Sequence, residues 1–225
     1  MQPKNHKLTV EQLLTKWLQT QENVRGLGDG TIIDYRRHVD KYWIPAIGQI
    51  LLSELKPSDV TDTLAFLVTQ RARARDEALE HNRKATAEAA ELDKARVAKG
   101  LKRPIKPNLV SVPLRLNAGT VQRIHATLRA ALNAAVPAEE ADRNVAAQTD
   151  KPQYRRKKVK PWQPEQLGQW LDSITGFRMY PLFHLSAFAG MRRGELIGLS
   201  WDDVDLDNAQ VTVYWQITLV SAAQA

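Results

Sequence analysis

The run Ala189-Gly190-Met191-Arg192-Arg193-Gly194-Glu195-Leu196 places an arginine and a glutamate three residues apart, directly after the apolar stretch from Tyr180 to Ala189. Residues at i and i+3 share one helical face, so the Glu195 carboxylate can orient the Arg192 guanidinium. Arginine stays charged at any ordinary pH and offers a planar fork that matches two oxygens of one phosphate. Such a pair is either the start of an anion-binding cleft or an ordinary surface ion pair of little energetic worth.

The longer pattern decides between them. Gly190-Met191-Arg192-x-Gly194-Glu195-Leu196 is followed by Leu199-x-Trp201-x-Asp203-Val204. This stretch resembles the first-arginine motif of the tyrosine recombinase (phage integrase) family. A second stretch, Ile44-Pro45-Ala46-Ile47-Gly48, then Leu51-Leu52-Ser53-Glu54-Leu55 and Pro57-Ser58-Asp59-Val60, is similar to the N-terminal core-binding domain of phage integrases.

That resemblance implies DNA strand exchange without metal ions or other cofactors. In the family a tyrosine attacks the scissile phosphate, forming a phosphotyrosyl link and releasing a 5′-hydroxyl, and the stored phosphodiester energy removes the need for ATP. Arginines stabilise the charge on the phosphoryl oxygens. By the resemblance Arg192 is the first of the family's two catalytic arginines and Glu195 the acid that supports it. The family's catalytic lysine, its His-x-x-Arg motif and its nucleophilic tyrosine have no counterpart before Ala225. Tyr35, Tyr42, Tyr154, Tyr180 and Tyr214 stand in helix, linker or strand patterns that suit packing rather than attack. His184, inside an apolar helix, reads as a hydrogen-bonded core residue, and His125 as one that at most approaches DNA. No His/Asp/Glu cluster has metal-ligand spacing.

The elements that must position these residues follow from periodicity. Thr9 with Gln12 reads as a capping box ahead of a helix over 10–20. Thr31 with Asp34 opens a second helix, which Pro45 ends, and a third runs from about 58 into the seventies. A fourth begins at Thr120, with Val121, Ile124, Leu128, Ala131, Leu132 and Ala135 on one face. Pro164 suits the first position of a helix carrying Leu167, Trp170, Leu171 and Ile174. The helix from Tyr180 to Ala189 should be buried beneath the arginine motif, and Val211 to Leu219 alternates as a half-buried strand.

The expected architecture is mainly α: a helical core-binding domain (SAM-like) over 8–148 with a long helical insertion at about 70–117. A basic linker over 149–160 and a partial α+β catalytic domain of the tyrosine recombinase type over 161–225 complete it. The insertion region 70–107 holds eleven basic and six acidic residues with few large apolar ones, which predicts an extended helical arm or hairpin.

Charge points to the partner. The net charge of +7 divides into +11 over residues 1–160 and −4 from 161 onward. Such asymmetry predicts that the N-terminal part meets a polyanion, with duplex DNA the expected one. Candidate DNA-binding residues are Arg36, Arg37, Lys41, Arg123 and Arg129 on the helical domain, and Arg155, Arg156, Lys157, Lys158 and Lys160 in the linker. A homo-oligomer on DNA is a further expectation. The chain has no cysteine and no run of about 18 apolar residues, so a disulfide scaffold and a transmembrane helix are both excluded and a cytoplasmic setting is expected.

Three functions fit: part of a recombinase, truncated before its nucleophile; a non-catalytic DNA-binding module that competes at attachment sites; or a protein-interaction component built on the basic arm.

Overall fold

Thr9 and Gln12 cap the first helix reciprocally. The Thr9 N–H donates to Gln12 Oε1 at 3.1 Å and the Gln12 N–H to Thr9 Oγ1 at 3.3 Å. Helix α1 then runs Val10–Asn23 and buries Val10, Leu13, Leu14, Trp17 and Leu18 on one side. In the computed structural model, residues 8–23, 26–99, 104–150, 152 and 158–218 are described, and the chain divides into two units, Met1–Arg155 and Arg156–Ala225.

Helix α2, Asp29–His38, begins two residues before the expected Thr31. The extended Gly28 supplies its cap through the backbone, its carbonyl accepting from Thr31 N at 2.8 Å, and Asp29 adds a favourable charge in the first turn. Pro45 does not end the helix as its ring would suggest. The chain widens into a π turn over Val39–Trp43, in which the Ile44 N–H reaches back to the Val39 carbonyl, and continues as α3, Ile44–Ile47. A proline lacks an N–H and crowds the carbonyl four residues back; the wider turn absorbs both defects. It also aims Trp43 inward, where the ring is fully buried and its Nε1–H donates to the Ile124 carbonyl at 3.0 Å.

Helix α4 is one continuous element, Pro57–Ala98, 42 residues long. At 1.5 Å per residue it spans about 63 Å. Its start is fixed by Pro57 and by Asp59 Oδ2, which accepts from Lys56 N at 2.9 Å. The first turns bury Val60, Thr63 and Leu64, whereas further along only Ala78 and Ala89 are buried among the described residues. The expected arm is therefore an extension of the third core helix. An extended return segment, 104–117, lies against it: the Arg71 and Arg75 guanidinia donate to the Leu114 and Pro113 carbonyls, both at 3.1 Å.

Helix α5, Ala118–Ala135, starts under the Asn117 side chain, which accepts from Thr120 N at 2.8 Å. It completes a core shared with α1, the π turn and the start of α4, in which Leu14, Val39, Val60, Ile124, Leu128 and Leu132 are buried. His125 belongs to this core and not to a DNA-facing surface. It is buried, and its Nε2 donates to the Ala146 carbonyl at 2.8 Å.

In the second unit α6, Pro164–Ser173, opens with Gln163 N donating to Gln166 Oε1 at 3.0 Å. Trp170 stands edge-on to Phe183 of α7, Tyr180–Ala189, with centroids 5.3 Å apart. No residue of α7 is buried, which departs from the expectation. His184 is likewise exposed, its ring between those of Tyr180 and Phe188, rather than a core residue. The main neighbours of α7 are α6 and α8 (Arg193–Gly198), and two neighbours cannot enclose a helix that is apolar all round.

The expected strand from Val211 is nearly absent. β1, Val204–Asp205, pairs antiparallel with β2, Gln210–Val211, and residues 212–218 continue without strand partners among the described residues; Leu219 lies outside them. Alternation gives a segment the habit of a strand, but a ladder needs a neighbouring strand. Here the backbone runs instead along α8, where the Ile217 N–H donates to the Gly194 carbonyl at 2.9 Å. No helix among the described residues is long and apolar enough to cross a membrane.

Candidate phosphate site and basic surface

The turn that presents Arg192 is made by Gly190, which adopts φ +64°, the left-handed conformation that an L side chain rarely takes, and closes α7. Arg192 follows in extended conformation as the cap of α8, with Glu195 at the third helical position. The Glu195 carboxylate accepts twice from the same residue. Its Oε2 takes the Arg192 backbone N–H at 2.8 Å and its Oε1 takes Nη1 at 2.9 Å. These bonds, the backbone one first, hold the Glu195 carboxyl below its usual range.

The two partners differ in exposure. The Arg192 side chain is 83% exposed and that of Glu195 18%. One edge of the guanidinium is thus fixed by the acid, and its other N–H groups face solvent, available to an oxyanion. Gly194 and Gly198 lie four apart on the face that meets residues 215–217. A Cβ on Gly194 would stand 2.9 Å from the Ile217 carbonyl oxygen, and one on Gly198 3.1 Å from that of Trp215. The physical task of Gly194 at its motif position is to let residues 216–217 pack against α8. An apolar hollow of about 1000 Å³, lined by Met179, Pro181, Leu185, Leu199, Trp201 and Leu206 among others, includes neither Arg192 nor Glu195.

In the first unit, Arg37 and Arg123 come together from α2 and α5. Both act on the His38 ring, which is buried and whose Nδ1 lies 2.8 Å from Thr127 Oγ1. Burial first, then Arg37, pushes the His38 pKa down from 6.5, with Arg123 adding to the effect and Asp34 opposing it. Neither His38 nor Thr127 was singled out from sequence, where nothing marks a pair 89 residues apart. Arg37 also bonds Asp34 at 2.7 Å, and Arg36 pairs with Glu22. Lys41, Arg123 and Arg129 are exposed. Lys158 and Lys160 are exposed as well, while Arg155, Arg156 and Lys157 lie outside the described residues.

The tyrosines sit in packing positions or on the surface. Tyr35 lies 5.0 Å from the Trp17 ring, Tyr42 packs on the core, Tyr180 faces His184 and Tyr214 is exposed; Tyr154 lies outside the described residues. Among the described residues no group of three His, Asp or Glu could hold a metal ion.

No family model matches the chain. A tyrosine recombinase XerC-like protein of Caldanaerobacter subterraneus subsp. tengcongensis is 30% identical over 63 residues, which is 28% of this chain and 16% of that relative. A lambda integrase tetramer bound to a Holliday junction shares the fold with a TM-score of 0.58 at 13% identity, covering 91% of this chain and 49% of the integrase. The Tn1549 transposon integrase in complex with circular intermediate DNA gives a TM-score of 0.56 at 19% identity, over 96% of this chain and 57% of that one. The chain thus spans about half the length of these integrases, and the local match takes in about a sixth of the recombinase. The chain is therefore similar to a tyrosine recombinase over a local stretch of sequence and to integrases in fold, in line with the first-arginine motif.

Proposed function

We propose that the chain binds duplex DNA as part of a site-specific recombination system of the phage integrase type. The observation that carries this reading is the Arg192–Glu195 pair, an exposed guanidinium held on one edge by a mostly covered carboxylate. Arg192 would take two oxygens of a backbone phosphate, and Glu195 is its positioning residue. No metal or cofactor is needed for that contact. Arg37 and Arg123 on the helical unit, with Lys158 and Lys160 beyond it, would track further phosphates, and Lys41, Arg129, Arg155, Arg156 and Lys157 extend the basic series. The attachment sites of a mobile element are the proposed targets, a homo-oligomer on DNA the proposed assembly, and the cytoplasm the proposed setting.

Of the family's site residues only Arg192, positioned by Glu195, has a match here, and the 225 residues hold no His-x-x-Arg and no tyrosine in the nucleophile's context. As this chain stands, it binds without cutting. A nicked duplex that traps phosphotyrosyl links tests this. We expect a complex that dissociates fully on denaturation, and a protein–DNA band that survives denaturation would overturn it by showing a nucleophile among the five tyrosines.

A further inference from the structure

The return segment 104–116 is held to the α4 arm in an unusual way. Among the described residues it makes no backbone-to-backbone hydrogen bond. Instead the Asn82 amide clamps both peptide groups of one residue: its Oδ1 accepts from Val110 N at 2.8 Å and its Nδ2 donates to the Val110 carbonyl at 2.9 Å. The adjacent His81 Nε2 donates to the Asn108 carbonyl at 3.2 Å. The two side chains thus imitate a neighbouring strand along one edge.

In an extended chain the N–H and C=O of one residue point to the same side, and those of the next residue to the opposite side. With Asn108 and Val110 turned to the helix, that alternation turns the peptide groups of Leu109 and Ser111 away from it, and neither makes a backbone-to-backbone hydrogen bond among the described residues. Both residues are exposed, and Leu109 is an apolar side chain 55% open to solvent. This is a short, unpaired β edge, the kind of surface that a second strand completes.

The sequence around the edge specifies which strand. Pro107-Asn108-Leu109-Val110-Ser111-Val112-Pro113 is symmetric in its prolines about Val110. An antiparallel pair of two identical segments centred there sets Leu109 against Ser111 of the second copy, and Ser111 against Leu109, with four N–H···O bonds. Pro107 then meets Pro113; neither can donate, and the Pro113 carbonyl is already held by Arg75 of α4, so the ladder is confined to residues 109–111 and ends without an orphaned donor. The only charged residues of the segment, Lys106 and Arg115, fall opposite Leu114 and Ile105, so no like charges meet. The flanking outer face of α4 is no barrier to a second copy, since Arg73 pairs with Glu77, and Arg83 and Lys84 with Glu80.

We propose that the arm is a self-association device, in which residues 109–111 of two copies pair antiparallel about Val110. It deepens the reading of a homo-oligomer on DNA, but the pairing requires no DNA, so the test is made without any and the two ideas fail separately.

The chain has no cysteine, which allows a single-cysteine test. In a non-hydrogen-bonded antiparallel pair the Cα atoms lie about 4.5 Å apart, within disulfide reach. Val110→Cys should convert to a covalent dimer on mild oxidation. Leu114→Cys, exposed on the same segment but displaced from its counterpart in this register, should stay monomeric. Sedimentation of the unmodified chain should show a dimer, and Ser111→Pro, which removes one outward N–H, should lose it. A monomeric unmodified chain, equal crosslinking of the two cysteine variants, or a dimer that survives Ser111→Pro would each overturn the proposal.

Discussion

His38 joins the two helices that carry Arg37 and Arg123, and its protonation should loosen that junction. Thr127 Oγ1 donates its one hydrogen to the Arg123 carbonyl at 3.2 Å, so it accepts from His38 Nδ1–H at 2.8 Å, and the ring is held as the neutral Nδ1–H form. A second proton would place a charge in a buried site already facing two arginines. Burial, then Arg37, therefore depresses the folded pKa below 6.5, against the smaller pull of Asp34. The unfolded chain takes up a proton near 6.5 and the folded one does not. The His38 contribution is thus fully present above pH 6.5 and is lost as the pH falls through the folded pKa. The slope reaches at most about 1.4 kcal/mol per pH unit between those two values and levels off below them. Urea unfolding followed by tryptophan fluorescence, from about pH 7.5 down to 5, measures it, since Trp17 and Trp43 lie in this core. The comparison is with His38→Asn, whose amide can replace the donated bond without titrating; His125 remains in both proteins and cancels. Parallel stability profiles for the two chains below pH 6.5 would refute the reasoning.

Two other outcomes follow from the packing. Gly194→Ala gains helix propensity worth up to about 1 kcal/mol, but its methyl meets the backbone oxygen of Ile217 at 2.9 Å. We expect the contact to win, displacing residues 215–217 and exposing the Ile217 amide; unchanged exchange protection of that amide would show that the segment gives way freely. The helical core of the first unit should exchange its amides more slowly than residues 161–218, because in the second unit only Leu171 and Leu196 are buried apolar side chains among those described. Equal protection of the two units would contradict this account of where burial holds the chain together.

Much of this arrangement is legible in local sequence, and the exceptions have physical causes. The Thr9–Gln12 cap, the buried face of α5 and Pro164 at the first turn of α6 are set by residues within one or two turns of each other, so spacing alone locates them. Pro45 misled because the relief of its clash is a π turn, which no spacing announces. The continuity of α4 was obscured by the same charge and alanine content that suggested an arm, since that composition favours a helix without saying what covers it. At the candidate site, the Arg192–Glu195 pairing follows from i and i+3. The contact of Gly194 with Ile217 and that of His38 with Thr127 depend on tertiary packing across 23 and 89 residues, where periodicity carries no information.

The central claim is that this chain holds duplex DNA through its arginines and lysines, and the salt dependence of that binding tests it most directly. Arg37, Arg123, Lys158, Lys160 and Arg192 are exposed and described, and contact of these five with phosphates gives a slope of log K against log salt of about −4.5. Fluorescence anisotropy of a labelled duplex should then show binding weakened about 500-fold between roughly 50 and 200 mM salt. Failure to bind at the lowest salt, or a slope near −1, would contradict it.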